Sequence, residues 1–220
     1  MENKPAMREP KGPQRFMKPP SQMTRTAILV EGAMMVSLGF VLSIIPFFHM
    51  PWGGSITCFS TLPLIVMSFR HGLKWGVSAA AVFGVVQSLM GVGSIAAAGS
   101  FGAMILCALL DYFFAYAAVG LSGPIANSMA RYVANPIARL VTGIVSTGLM
   151  RLFCSFLSGV LIWGAWAPEG TPVWLYSLTY NAGWCLPDMA IVLAAAVALS
   201  LAHNMRILGL AGSPASRPSR

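Results

Sequence analysis

Along the chain, long apolar runs alternate with short breaks rich in glycine, proline and charge. A membrane-crossing helix needs about 20 apolar residues, somewhat fewer inside a bundle. Six runs meet that length approximately: Ala27 to Phe48, Ile56 to Phe69, Gly72 to Val92, Phe101 to Gly120, Pro136 to Trp163 and Val173 to His203. The second is short, and the breaks near Gly53 and Gly91 are glycine-rich, so their boundaries are soft. The pattern predicts an all-α membrane protein of six transmembrane helices. Ahead of the first run, MENKPAMREPKGPQRFMKPPSQMTR is basic, proline-rich and poor in aromatics, which predicts a disordered arm over residues 1–25. The run behind it is long for a signal peptide and lacks a small-x-small cleavage site, so it reads as a span. The membrane domain is expected over 26–205 and a short tail over 206–220. No internal repeat of the kind that builds two-halved transporters is visible.

Composition agrees with this pattern. Of 220 residues, 56% are hydrophobic and 9% charged, with a mean hydropathy of +0.72, too apolar for a mixed, soluble surface. The net charge of +8 does not point to nucleic acid, because the basic residues sit in tails and short loops without an aromatic-interleaved stripe. It reads instead as topology. Lys4 through Arg25, Arg70 and Lys74, Arg131 and Arg139, and Arg206 through Arg220 all fall on one side, whereas the loops around Pro51, Gly93 and Glu169 carry no lysine or arginine. By the positive-inside rule both termini are cytoplasmic. Cys58, Cys107, Cys154 and Cys185 are scattered without metal-ligand spacing, which predicts reduced packing residues and no metal site.

Four charged residues lie inside the spans: Glu31, Asp111, Arg151 and Asp188. Each costs at least ~2.5 kcal/mol at a helix centre, so each should have a partner or a function. Arg151 can pair with Asp111 or with Asp188. Glu31, about one turn into its helix, can snorkel to the cytoplasmic interface. Asp111, with Tyr112 beside it, is the better candidate for ligand contact. In span five, Ser155, Gly159 and Trp163 recur at i, i+4 and i+8, on one face. In span six, Tyr176 and Tyr180 share a face, and Asn181, Cys185 and Asp188 continue a neighbouring one. An acid, an amide, hydroxyls and large rings at the outer half of a bundle suit a flat, polar, cationic small molecule. Trp166 and Trp174 fit an interfacial aromatic belt better than a ligand wall.

The stretches PWGGSI at Pro51, LPLIVMSFRHGLKWG at Leu62, LLDY at Leu109, RLFCSFLSGVLIWG at Arg151 and APEGTPVWLYSLTYN at Ala167 together make the chain resemble a known family. It is the thiamine-specific S-component (ThiT or YuaJ) family of energy-coupling factor transporters, matched from Arg25 to His203. The resemblance implies a protein of the bacterial plasma membrane that captures thiamine from outside. It also implies docking onto a module of one transmembrane scaffold subunit and two ATPase subunits. Family members place a glutamate where this chain has Asp111, a histidine where it has Ser155, a tryptophan at Trp163, a tyrosine at Tyr176 and an asparagine at Asn181. Trp52 lies close to a further tryptophan that relatives carry in the outer loop after the first helix. Under the resemblance the first helix meets the scaffold through small residues at fourfold spacing, here Ala33 and Ser37. It implies neither an enzyme nor a cofactor, and no Walker motif is present, so ATP is hydrolysed by a partner.

Two other readings stay open at this level. Loss of the histidine at Ser155 changes one polar partner, a common source of altered specificity, so a thiamine precursor such as hydroxymethylpyrimidine is an alternative cargo. Gly120, Leu121, Ser122 and Gly123 spell GxSG, and His203 ends the last span, as a rhomboid-like protease would need. Pro124 follows at once, which favours a helix-ending turn over a nucleophile.

Overall fold

The computed structural model describes residues 23–50, 54–57 and 59–202. Most of the expected N-terminal arm, the whole tail, Trp52 and His203 therefore lie outside the described residues. Helix α1 (Arg25–Ser43) leads into a hairpin of β1 (Pro46–His49) and β2 (Ser55–Thr57). Helix α2 (Leu62–Met90) and the short α3 (Val92–Ala96) follow. The next crossing is assembled from α4 (Phe101–Cys107), a π-helical stretch (Ala108–Phe114) and α5 (Ala115–Val119). A short α6 (Ser122–Ser128) precedes the two longest uninterrupted runs, α7 (Pro136–Leu161) and α8 (Val173–Ala202). Among the described residues, five helical stretches are long and apolar enough to cross a membrane: α1, α2, Phe101–Val119, α7 and α8.

Local chemistry accounts for most of these boundaries. Thr24 caps α1 by accepting from the Ala27 amide at 3.2 Å. Asn135 caps α7, accepting from the Ile137 amide at 2.9 Å, with Pro136 in the first turn where its missing N–H costs nothing. The sequence pattern overextends the first span to Phe48 and starts the second too early, at Ile56. Pro46 cannot continue α1, and the flanking segments pair instead as antiparallel strands, with Pro46 opposite Thr57 and Phe48 opposite Ile56. Expected spans two and three form one kinked element. At Gly72 the backbone takes φ 74° and ψ −163°, conformations that essentially only glycine tolerates, and α2 breaks there.

Leu64, Ile65, Phe83, Leu140, Ile144, Val192 and Ala196 form the centre of the bundle, with Phe83 meeting the Tyr116 ring edge-on at 5.0 Å. Large apolar side chains such as Leu29, Met34, Phe101, Phe153 and Leu161 point outward, as lipid requires. Cys107 and Cys185 are buried and Cys154 half-buried, all as free thiols. The GxSG segment is a packed turn. Ser68 on α2 donates to the Gly120 carbonyl at 2.5 Å and accepts from the Gly123 amide at 2.9 Å, while Ser122 is fully buried. A serine with no exposure cannot meet a substrate, so the protease reading loses its nucleophile.

A side chain added at Gly72 would meet no neighbour within 4 Å, so its backbone angles alone set the cost of substitution. Gly72→Ala should destabilise the fold by about 1–3 kcal/mol. Thermal unfolding in detergent measures this; an unchanged midpoint would show that the break is not held by its angles.

Candidate functional site

One charged pair organises the middle of the bundle. Arg151 on α7 donates to Asp188 Oδ2 on α8 at 2.8 Å, and both side chains are buried. Of the two partners open to Arg151 from sequence, Asp188 is the one the packing of α7 on α8 provides. The other carboxylate oxygen, Oδ1, accepts from the Thr57 amide and the Thr57 hydroxyl, each at 2.9 Å. The guanidinium lies over the rings of Tyr116 and Trp184, 4.8 and 5.0 Å from their centres, and donates to the Tyr116 hydroxyl at 3.3 Å. Trp184 in turn donates to Asn181 Oδ1 at 3.2 Å. Asn181 Nδ2 donates to the carbonyls of Ser177 and Ser155 at 2.9 and 3.2 Å. Hairpin, α5, α7 and α8 are thus joined through a continuous set of polar contacts.

Above this network lies a cavity of about 540 Å³, within the range of small-molecule sites. It is bounded by the end of α1, the hairpin, the end of α2, the π-helical stretch, α7 and α8. Asp111, Tyr112, Ser155, Trp163, Tyr176 and Asn181, all singled out from the sequence, line this one space. The structure therefore brings together six of the seven expected ligand-facing residues; the seventh, Trp52, lies outside the described residues. The Tyr176 and Tyr180 rings sit 5.9 Å apart on the same wall. Trp166 borders the cavity and is exposed, and Trp174 is exposed and does not line it.

The π-helical stretch holds Asp111 and Tyr112. Such insertions widen the turn and re-aim side chains, and they are frequent at functional sites. Here Asp111 accepts from the Ser158 hydroxyl, and at 3.5 Å from the Cys107 thiol. The Tyr112 hydroxyl packs against Gly91, where any side chain would overlap it. A second close approach, Gly159 against Ser177, brings α7 and α8 together beside Asn181.

Sequence reasoning missed Trp184, Tyr116 and Ser158. Trp184 stands three residues after Asn181, and Ser158 seven after Arg151, so both share helical faces with residues already noticed; that spacing was the available signal. Ala33 and Ser37 are exposed on α1, whereas Gly32 and Gly39 are buried, and neither Ala33 nor Ser37 lines the cavity. Glu31 is not left to snorkel: it pairs with Arg70 and with His71, each at 2.9 Å.

A bundle of apolar helices with a polar, aromatic-walled cavity and a separately paired buried cation defines a membrane protein with an internal site of small-molecule size. Comparison with known proteins narrows the class. Residues 29–207 match the model of the thiamine transporter protein family (Thia_YuaJ), and the chain belongs to that family. It is similar to thiamine transporter ThiT of Bacillus subtilis (strain 168), with 35% identity over 178 residues that cover 78% of this chain and 88% of the relative. It is also similar to thiamine transporter ThiT of Lacticaseibacillus paracasei, with 29% identity over 174 residues, 75% of this chain and 82% of that one. A solved structure of ThiT from Listeria monocytogenes superposes with a TM-score of 0.67 at 24% identity, covering 84% of this chain and 98% of that one, and establishes the shared fold. The chain is a multi-pass protein of the bacterial plasma membrane, in a family of transport proteins, not enzymes.

Removing one member of a buried ion pair strands the other. Asp188→Ala should cost about 3–5 kcal/mol of stability, whereas the joint replacement Arg151→Met with Asp188→Leu should recover most of it. Melting temperatures of the purified variants test this, and equal losses in the single and joint variants would contradict a pair that acts as a unit.

Proposed function

We propose that this protein is the substrate-binding S-component of an energy-coupling factor uptake system and that its cavity captures thiamine from outside the cell. The observation that carries the reading is the charge balance of the cavity. Two charged side chains line it, Asp111 and Arg151. Arg151 is neutralised by Asp188, which leaves Asp111 as the uncompensated charge facing the space among the described residues. One free carboxylate among Trp163, Tyr176 and Tyr180 favours a cation with flat rings. Thiamine is such a molecule, with a fixed positive charge on its thiazolium ring. The amide of Asn181 has its hydrogens committed to the protein, yet its oxygen keeps a lone pair able to accept from an aminopyrimidine.

In this reading the chain crosses the membrane six times, with α2 counted as two crossings on either side of Gly72, and both termini are cytoplasmic. Arg70 and Lys74 flank that break, near the Gly120–Gly123 turn, with Arg131 ahead of α7 and Arg139 in its first turn, which supports this orientation. The scaffold subunit and its two ATPases dock on α1. The exposed Ala33 and Ser37, one turn apart, allow a partner helix to approach closely.

Titration of the purified protein with thiamine and with hydroxymethylpyrimidine tests the cargo. Thiamine should bind more tightly, because only it carries the charge that Asp111 faces; tighter binding of the bare pyrimidine would move the cargo to the precursor, as the serine at Ser155 allows. Asp111→Ala should weaken thiamine binding by more than ~2 kcal/mol. At Trp163, affinity should fall in the order Trp, Phe, Ala, with thiamine losing more than the neutral pyrimidine. Uniform affinity along that series would return Trp163 to the membrane interface. Ala33→Trp should abolish uptake in cells while leaving thiamine affinity intact, and uptake at the parental rate would remove Ala33 from the docking face.

A further inference from the structure

The geometry points to Ser158 as a positioning residue that, with Cys107, commits one oxygen of Asp111 to the protein so that the other faces the ligand; this rests on the role of Asp111 proposed above. The Ser158 hydroxyl, arriving from α7, and the Cys107 thiol, from the last residue of α4, both donate to the same carboxylate atom, Oδ2. Both donors are buried, Ser158 completely. Neither can turn to serve a ligand in place of Asp111 without leaving a buried polar group unpaired.

A carboxylate fixed through one oxygen has its plane and rotamer set before the ligand arrives. In the wider π-helical turn that holds Asp111, an unanchored side chain would sample several rotamers, and ordering it would oppose binding. The hydroxyl of Ser155 and the indole of Trp163 face the same carboxylate from α7 and its C-terminal end. The presented oxygen accordingly meets the ligand beside the ring expected to stack on it. The group it selects is a hydrogen-bond donor or a cation, and a ligand whose acceptor points there is rejected.

The serine acts through Asp111, so its removal should be conditional on that residue. Ser158→Ala should weaken thiamine binding about tenfold in the parent, as loss of a charge-assisted hydrogen bond commonly does. It should cause little further loss in an Asp111→Asn background, where no charged oxygen remains to orient. Cys107→Ser, which keeps a donor at the same place, should bind at least as well as the parent, and Cys107→Ala should bind less well. In ligand-free protein, the infrared carboxylate band identified as Asp111 by its disappearance in Asp111→Asn should shift in Ser158→Ala.

Additive losses in the double variant, or an unmoved carboxylate band in a folded Ser158→Ala protein, would overturn the assignment. The infrared measurement needs no ligand and separates the two proposals. A parent that fails to bind thiamine while the band shifts would refute the thiamine reading and keep Ser158 as the residue that sets the carboxylate.

Discussion

Burying a guanidinium in an apolar bundle costs several kcal/mol, and the structure around Arg151 is arranged to offset that cost locally. Asp188 supplies the opposite charge through one oxygen and accepts twice from Thr57 on the other, so both carboxylate oxygens are hydrogen-bonded. Tyr116 and Trp184 cover the faces of the cation with their rings. The same contacts fix the elements that bound the cavity. Thr57 holds the hairpin, Trp184 orients Asn181, and Asn181 ties α8 to α7 through two carbonyls. The floor of the cavity is thus set by the need to satisfy one charge.

That compensation has an electrostatic result above it. With its positive charge cancelled from below, Arg151 contributes shape to the cavity more than field, and Asp111 is left without an opposing charge among the described residues. The carboxylate is sheltered and served by hydroxyl, thiol and indole donors, with no cation beside it among the described residues. In a setting of low effective dielectric, an acid without a protein cation is left to find its counter-charge in what enters. Under the proposed function, the thiazolium of the ligand would supply the charge that this cavity lacks.

Much of the bundle was legible in the chain because length and apolarity suffice to mark a span, and because loops without lysine or arginine mark one side. Glu31, Asp111, Arg151 and Asp188 were legible as exceptional for the same reason: a charge amid twenty apolar neighbours is conspicuous. Which acid pairs with Arg151 was not, since spacing along the chain does not say which helices adjoin. The hairpin was hidden because Phe47, Phe48 and Ile56 extend the apolar runs on either side, so the proline- and glycine-bearing break between them read as a loop rather than as paired strands. The π-helical stretch has no compositional mark in ALLDYFF, and the contacts made from it, Tyr112 on Gly91 and Asp111 on Ser158, are with other elements that spacing along the chain does not reveal. Trp184 and Ser158 were visible as residues on the right faces, but their partners lie on other elements. The identity of the ligand came through motif resemblance rather than through any single residue.

The Arg151–Asp188 pair also bears on how the chain enters the bilayer. The two residues are 37 positions apart, so synthesis delivers Arg151 well before its partner exists. A lone arginine near the centre of α7 carries an insertion penalty of about 2.5–3.5 kcal/mol, set against the apolar length of that helix alone. Once α8 follows, the two charges neutralise each other and the penalty falls for both helices together. In terms of insertion, the α7–α8 helical hairpin is thus a better-compensated unit than either helix alone.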